Sequence, residues 1–322
     1  MASTPAGTAT ASPFPTLILL REQDILANLR KAFAERYLPE QLFYWLPSSV
    51  QAWVDLCQSK EYKNASRALE VLNLAAPEIA QRSSDFGTLC GIGCGEGGKD
   101  RILLEAFSRR GHRLNFVAAD FSQALLELAI DQARDSIVSA TGVKLDVFSD
   151  SHLEQTSRLA HTNSPVLFTV LGNTLGAFDP QLFPARLRRV CDEQDRFLFD
   201  GEIFNETTLG GYDNPTNRRF AWGPLNGVGI TEYDGRLEFS TEPIGNGLFA
   251  VTKHFLPTLP LQITVGSDQI EIPAGEKLRM SSSIKYRNDQ TLLKMVEAGG
   301  FKVEGKWMSK DGNFVLGYAR PS

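Results

Sequence analysis

The sequence predicts an α/β protein, a doubly wound parallel sheet carrying a second, smaller α+β lobe. Three observations carry this expectation. Apolar strand-like runs alternate with helical periodicity from Leu89 to Phe199. The first strand-to-helix turn, within FGTLCGIGCGEGGKDR (Phe86–Arg101), holds five glycines between Gly91 and Gly98. From Phe204 to about Gly275 the alternation gives way to short strand patterns split by turn signals such as Asp234-Gly235 and Gly245-Asn246-Gly247.

Residues 1–15, MASTPAGTATASPFP, read as a disordered tail, since Ser, Thr, Ala and Pro offer little to bury. They lack the charged start and apolar core of a signal peptide. Leu19, Ile25, Leu26, Leu29 and Phe33 recur at helical spacing. The block Leu42–Leu46 precedes a helix over Val50–Cys57, with Ser48 or Ser49 as its cap. A helix over Ala68–Ile79 leads into the glycine-loop strand, and Ile102–Phe107 continues as helix beyond it.

Leu114–Ala119 is a second strand, ending at Asp120, and Phe121–Ala133 a helix. Val143–Phe148 is a third strand, ending near Asp150. Pro165–Leu171 is a fourth, running into LGNTLG (Leu171–Gly176). Leu182–Val190 is a helix, and Arg196–Phe199 a fifth strand that ends at Asp200. From Leu278 the α/β rhythm resumes with strand Ser281–Tyr286, helix Asp289–Ala298 and a closing hairpin of Val303–Trp307 and Phe314–Tyr318. Residues 63–204 and 278–322 therefore form the sheet domain. Residues 16–62 and 205–277 form the second lobe, because neither stretch is long enough to bury a core alone.

At 322 residues, with 42% hydrophobic and 22% charged, the chain has an ordinary globular composition. Thirty-three basic against 38 acidic residues leave a net charge of −5, which argues against a nucleic-acid surface. No apolar run approaches the ~20 residues of a membrane span. Cys57, Cys90, Cys94 and Cys191 show no metal-ligand spacing, and the four histidines form no pair, so no metal is expected. A reducing cytoplasm is the default compartment for such cysteines. The sequence leaves the oligomeric state open.

The glycine turn admits several ligands. A phosphate-cradling GxxxxGK[ST] loop fails, because Asp100 follows Lys99. G-x-G-x-x-G can be traced through Gly93, Gly95 and Gly98, which keeps a dinucleotide open. The first loop of a class I S-adenosylmethionine-dependent methyltransferase is a third candidate, and a ligand-free βα turn a fourth. In doubly wound sheets ligands sit outside the carboxyl ends of the strands, where Asp120, Asp150, Gly172-Asn173 and Asp200 are expected.

Further motifs narrow the choice. Gly93-x-Gly95-x-x-x-Lys99-x-Arg101, Asp120, LGNTLG, Tyr212-Asp213 and GEKLRMSSSIKY (Gly275–Tyr286) together resemble the histidine-specific N-alpha-methyltransferases of ergothioneine biosynthesis. That family includes fungal enzymes acting on prenylated tryptophan. The resemblance runs from about Leu42 to Tyr318. It implies a Rossmann-like domain, S-adenosylmethionine as cofactor, and a second lobe closing over the substrate. By position it implies cofactor contacts at Gly93, Gly95, Lys99, Asp120, Asp150 and Gly172. Asp120 would accept from the ribose hydroxyls, Asp150 from the adenine amine, and Lys99 would neutralise the methionine carboxylate.

The resemblance also implies that Tyr62, Tyr212 and Ser283 hold the substrate. Two positions depart from it. Ala177 stands where the family has an asparagine that meets the substrate amine, so Asn173 is expected to take over that role. Ser281, expected at or near the substrate wall, replaces the acid that meets imidazole, which removes a charge-assisted hydrogen bond of roughly 1.5–3 kcal/mol. Gly91 departs as well, since most class I enzymes carry an acid there.

The expected function is N-methylation of the amine of an amino acid or an amino-acid-derived small molecule other than histidine, with Tyr212 and Asn173 at the reacting amine. The alternatives are histidine itself, a peptide amine, an inactive methyltransferase-like binding protein and a nicotinamide-dependent oxidoreductase.

Overall fold

The structure, a computed structural model, describes residues 14–162 and 164–322, so the expected tail lies outside it except for Phe14 and Pro15. Its strands are β1 (Thr16–Ile18), β2 (Tyr37–Leu38), β3 (Thr88–Ile92), β4 (Leu114–Asp120), β5 (Ile137–Lys144), β6 (Val166–Val170) and β7 (Arg196–Glu202). There follow β8 (Gly235–Gly245), β9 (Leu248–Pro257), β10 (Leu261–Val265), β11 (Asp268–Ile272), β12 (Leu278–Tyr286), β13 (Phe301–Met308) and β14 (Phe314–Pro321). The large sheet runs β1-β5-β4-β3-β6-β7-β14-β13. It is parallel from β1 to β7, and β14 enters antiparallel between β7 and β13. This is the doubly wound, Rossmann-like arrangement that the alternation predicts.

β3 and β6 are buried along their whole length, as strands covered on both faces must be. In β4, Phe116 and Ala118 face one core while Val117 and Ala119 face the other. Helices Lys63–Arg82, Gly98–Arg109 and Gln123–Ala133 cover the first core. Helices Asp150–Ala160, Phe183–Arg188 and Asp289–Ala298 cover the second.

A smaller sheet, β2-β12-β9-β8, and the β10-β11 hairpin make up the rest. A third core joins them to the N-terminal helices. It unites Leu29, Phe33, Phe43 and Leu56 with Phe220, Trp222, Leu225, Phe255 and Met280. Residues from both expected parts of the lobe thus share one apolar interior.

Several sequence boundaries move. β5 ends at Lys144 rather than Phe148, because after the Leu145 N–H has donated to the Asp120 carbonyl at 3.0 Å the chain turns along a cleft instead of pairing further. The helix after Leu46 starts at Pro47, so Ser48 and Ser49 lie inside its first turn and do not cap it. The lobe boundary at 278 does not hold, since β12 pairs along its length with β9 of the small sheet. Nor does the boundary at 16: β1 pairs with β5, Thr16 opposite Gly142, and extends the large sheet. Three residues at one end and nine at the other follow the partner that offers free backbone groups, which composition does not reveal.

Phe255 has no exposed surface and sits in the shared third core. Phe255→Ala should lower the unfolding free energy by about 3–5 kcal/mol, measured by denaturant titration. A loss below about 1 kcal/mol, the range of a surface change, would mean that this core does not hold the lobe.

Candidate active site

β3 ends at Ile92, and the chain then turns through Gly93, Gly95 and Gly97 at φ +66°, +58° and +83°. A Cβ on Gly97 would lie 2.5 Å from the Ala129 Cα, so glycine is what lets helix Gln123–Ala133 pack against the loop. The Gly95 N–H donates to Asp120 Oδ2 at 2.9 Å, and the Ser122 N–H donates to Oδ1 at 2.9 Å. Ser122, not Asp120, caps the following helix. Burial pushes the Asp120 carboxyl up to about 6. Each of its oxygens keeps a lone pair beyond these two bonds, and Asp120 lines the cleft above the loop.

Gly91 has a physical partner. A Cβ there would approach Asp100 Oδ2 to 3.0 Å, so an acid on the first helical turn occupies the space that a strand-end acid would need. Asp100 is buried, accepts from Thr169 Oγ1 at 2.6 Å, and is pushed up to about 6 by burial.

Two expected cofactor residues are not on the cleft wall. Lys99 packs beneath Gly172, whose added Cβ would meet Lys99 Cε at 2.9 Å. Burial acts to lower its pKa, but Glu96, Asp100 and Asp200 outweigh this and hold the ammonium charged. Its charge is therefore balanced from within the protein. Asp150 begins a helix, is largely exposed, and pairs with Arg186 at 2.6 Å and Arg189 at 3.6 Å, which holds it below the usual carboxylate range. The acid that follows β5 directly is Asp146, whose Oδ1 accepts from the Phe148 N–H at 2.9 Å. Reading the strand four residues too far hid it. Leu145, Val147, Phe148, Phe121 and Leu125 form an apolar recess beside Asp120.

The cleft, about 970 Å³ counting its mouth, continues from Gly93, Gly95 and Gly172 to an aromatic wall of Tyr44, Trp53 and Phe220. Tyr62 and Tyr212 meet edge to face there, with centroids 5.6 Å apart. The Tyr212 hydroxyl accepts from Asn64 Nδ2 at 2.8 Å and donates to Glu202 Oε2 at 3.1 Å. Burial, and then the Glu202 charge, raise the Tyr212 phenol well above its ordinary value. Glu202 also takes Asn64 Nδ2 at 2.8 Å and Lys285 Nζ at 3.0 Å. Lys285 in turn donates to Ser283 Oγ at 2.8 Å, and Ser283 lines the cleft.

Asn173 also lines it, at φ +59°, but its amide is occupied. Oδ1 accepts from the Glu202 N–H at 2.9 Å, and Nδ2 donates to Ser283 Oγ at 3.2 Å and to the Ile284 carbonyl. It is a bridge between β7 and β12 rather than a free group for an amine. Ser281 is buried in a β-bulge at φ +39°, with Oγ unpartnered among the described residues, and does not line the cleft. The bulge turns it away from the wall. Asn64, Glu202 and Lys285 escaped sequence reading because polar residues next to strand and helix ends read as solvated. Of the polar residues on the cleft wall itself, Glu40 escaped for the same reason, and Lys253, in the middle of β9, because a lysine there reads as the solvated face of a strand.

Residues 21–214 match the model of a family described as histidine-specific methyltransferase, SAM-dependent. The chain is similar to the N-methyltransferase imqF of Aspergillus flavus, at 22% identity over 90% of this chain and 82% of that one. It is similar to the N-methyltransferase dtpB of the same organism, at 23% over 90% and 85%. It is also similar to the histidine N-alpha-methyltransferase of Mycobacterium tuberculosis, at 23% over 94% and 95%.

Burial raises Asp100, Asp120 and Asp200 from 3.8 to about 6 in the folded chain. Between those values the folded state binds more protons than the unfolded one, so stability from these groups falls as pH rises. Denaturant titrations from about pH 4 to about pH 6 should show that fall, and Asp120→Asn should flatten part of it. Stability rising across the window without such a component would contradict the burial argument.

Proposed function

The chain belongs to the histidine-specific, S-adenosylmethionine-dependent methyltransferase family, and from that premise we propose that it N-methylates an aromatic amino acid or amino-acid-derived amine other than histidine. One observation carries the proposal. The wall opposite the glycine loop is Tyr44, Trp53, Tyr62 and Phe220, and position 281 supplies no carboxylate to it. Histidine itself is the second reading, favoured by Glu40, which brings a carboxylate to the wall. That carboxylate already accepts from the Tyr44 hydroxyl at 3.1 Å and lies 4.0 Å from Lys253 Nζ.

The residues present fit the cofactor. Gly93 and Gly95 approach without side chains, and a Cβ on Gly95 would meet nothing nearer than Trp53 Nε1 at 3.9 Å. Asp120 offers two free lone pairs for ribose hydroxyls, and Leu145, Val147 and Phe148 offer an apolar recess for a purine, with Asp146 beside it. When bound, S-adenosylmethionine supplies an electrophilic methyl group on a sulfonium.

The chain's own residues prepare the acceptor. Tyr212 commits its proton to Glu202 and one lone pair to Asn64, which leaves one lone pair on its hydroxyl as an acceptor for an amine N–H. Tyr62 packs edge-on and limits how that amine can turn. Orientation of this kind lowers the barrier by fixing the reacting partners. The aromatic wall excludes water from the amine. The amine must be uncharged to react, so turnover rises with pH towards the amine's own pKa. Cys57, Cys90, Cys94 and Cys191 are free thiols, which supports a reducing, cytoplasmic setting. Among the described residues no helix is long and apolar enough to cross a membrane.

Mass spectrometry of candidate amines incubated with enzyme and S-adenosylmethionine should show methyl gain on aromatic amino acids or their amines and little on histidine. Efficient histidine methylation with rejection of every larger amine would overturn the acceptor assignment. Asp120→Ala should weaken S-adenosylmethionine binding by about 1.5–3 kcal/mol in calorimetry, the value of charged hydrogen bonds. Tyr212→Phe should leave that affinity near wild type and lower turnover. Unchanged turnover would remove Tyr212 from the amine.

A further inference from the structure

Lys253 is the least expected residue on the cleft wall. It lies in β9 opposite Met280, beside the bulge that turns Ser281 inward, and is 4% exposed. Its ammonium sits 5.0 Å from the Phe43 ring and 5.4 Å from the Phe220 ring. Among the described residues it donates no hydrogen bond, and its one ion pair, to Glu40 Oε2, is at the 4.0 Å limit. Glu40 is shared with the Tyr44 hydroxyl. Burial lowers the Lys253 pKa, with Glu40 opposing. An ammonium on the wall of an apolar cleft with its donors unused gains most from an acceptor brought into that cleft.

We propose that Lys253 selects the acceptor by its carboxylate, so that the substrate is an amino acid with a free acid group rather than a decarboxylated amine, ester or amide. This rests on the N-methyltransferase reading and names the substrate class of the same cleft. Chemical complementarity supports it. Lys253 offers three donors to a carboxylate and no acceptor to a second amine. Tyr62, Tyr212 and Ser283 supply the polar groups for the amine elsewhere on the same wall. The other charges facing Lys253 are Glu40 on the turn after β2 and Lys285 on β12, and Lys285 is already paired with Glu202. Glu40 therefore competes with the substrate for Lys253, while Lys285 does not.

The test compares tryptophan with tryptamine and tryptophanamide, and phenylalanine with phenethylamine. The wild type should show a KM for each carboxylated member at least about tenfold below its partner, the scale of one charge-assisted hydrogen bond. Lys253→Met should collapse that ratio to within about twofold by raising KM for the acids, with a smaller change in kcat. Lys253→Arg should keep the preference, and Glu40→Gln should widen it by removing the competing carboxylate. Opposite movement in Lys253→Met and Glu40→Gln separates recognition from loss of folding, which would move both the same way.

Calorimetric titration with S-adenosylmethionine checks each variant independently of turnover. Failure of the wild type to bind S-adenosylmethionine would strike the family reading. A wild type that binds it yet treats acids and amines alike, or methylates no carboxylated probe, overturns the role of Lys253. So does an unchanged ratio in Lys253→Met.

Discussion

The cleft depends on one buried carboxylate. Asp200 lies inside β7 with no exposed surface, and it accepts from the Gly172 N–H at 2.7 Å and the Asn173 N–H at 2.6 Å. These two consecutive N–H groups aim at one carboxylate with the backbone in the left-handed region, Gly172 at φ +83° and Asn173 at +59°. That conformation points the Asn173 amide across the gap between the sheets, where it ties the backbone of β7 to Ser283 and Ile284 of β12. Without Asp200, two buried donors lose their partner and the loop loses its reason to hold this shape. The wall carrying Gly172, Asn173 and Ser283 would then have no fixed position relative to the glycine turn.

The fold was legible where burial on both faces imposed a simple pattern. β3 and β6 are continuous apolar runs because helices cover both their faces, and the glycine turn announced itself because Gly97 leaves no room for a Cβ beside Ala129. Asp120 was legible for a related reason, since a carboxylate ending an apolar strand must find donors and the nearest are the loop's own N–H groups. Allegiance of β1 and β12 was not legible. A strand's partner depends on which edge is free in three dimensions, and Thr16–Ile18 and Leu278–Tyr286 carry no mark of that.

Site residues divided along the same line. Position in a motif located Gly93, Gly95, Asp120, Tyr62, Tyr212 and Ser283 on the cleft. It misplaced Lys99, Asp150 and Ser281, because motif spacing fixes a Cα and not the direction of a side chain. Lys99 turns under Gly172, Asp150 turns out to Arg186, and the bulge turns Ser281 into the core. The charged residues that no motif position singled out, Glu202, Lys285 and Lys253, are all buried strand residues. In a sequence they are indistinguishable from the solvated face of an antiparallel strand.

The two halves of the cleft come from different structural sources, and this separates their chemistry. Gly93, Gly95, Asp120 and Leu145–Phe148 follow strands of the large sheet, whose loops are set by buried hydrogen bonds and by glycine conformations that tolerate little change. Glu40, Tyr44, Trp53, Phe220 and Lys253 come from the N-terminal helices, the helix Pro215–Ala221 and the small sheet, held by an apolar core in which side chains of similar volume can replace one another. Substitutions in the lobe can therefore reshape what the acceptor must look like while the glycine loop and Asp120 stay fixed. Tyr62 and Tyr212 sit at the junction, packed edge to face in the lobe core, with Tyr212 hydrogen-bonded to Glu202 of the large sheet. An amine placed against them is oriented with respect to both halves at once, which is the geometric condition for an in-line transfer between a ligand of one half and a ligand of the other.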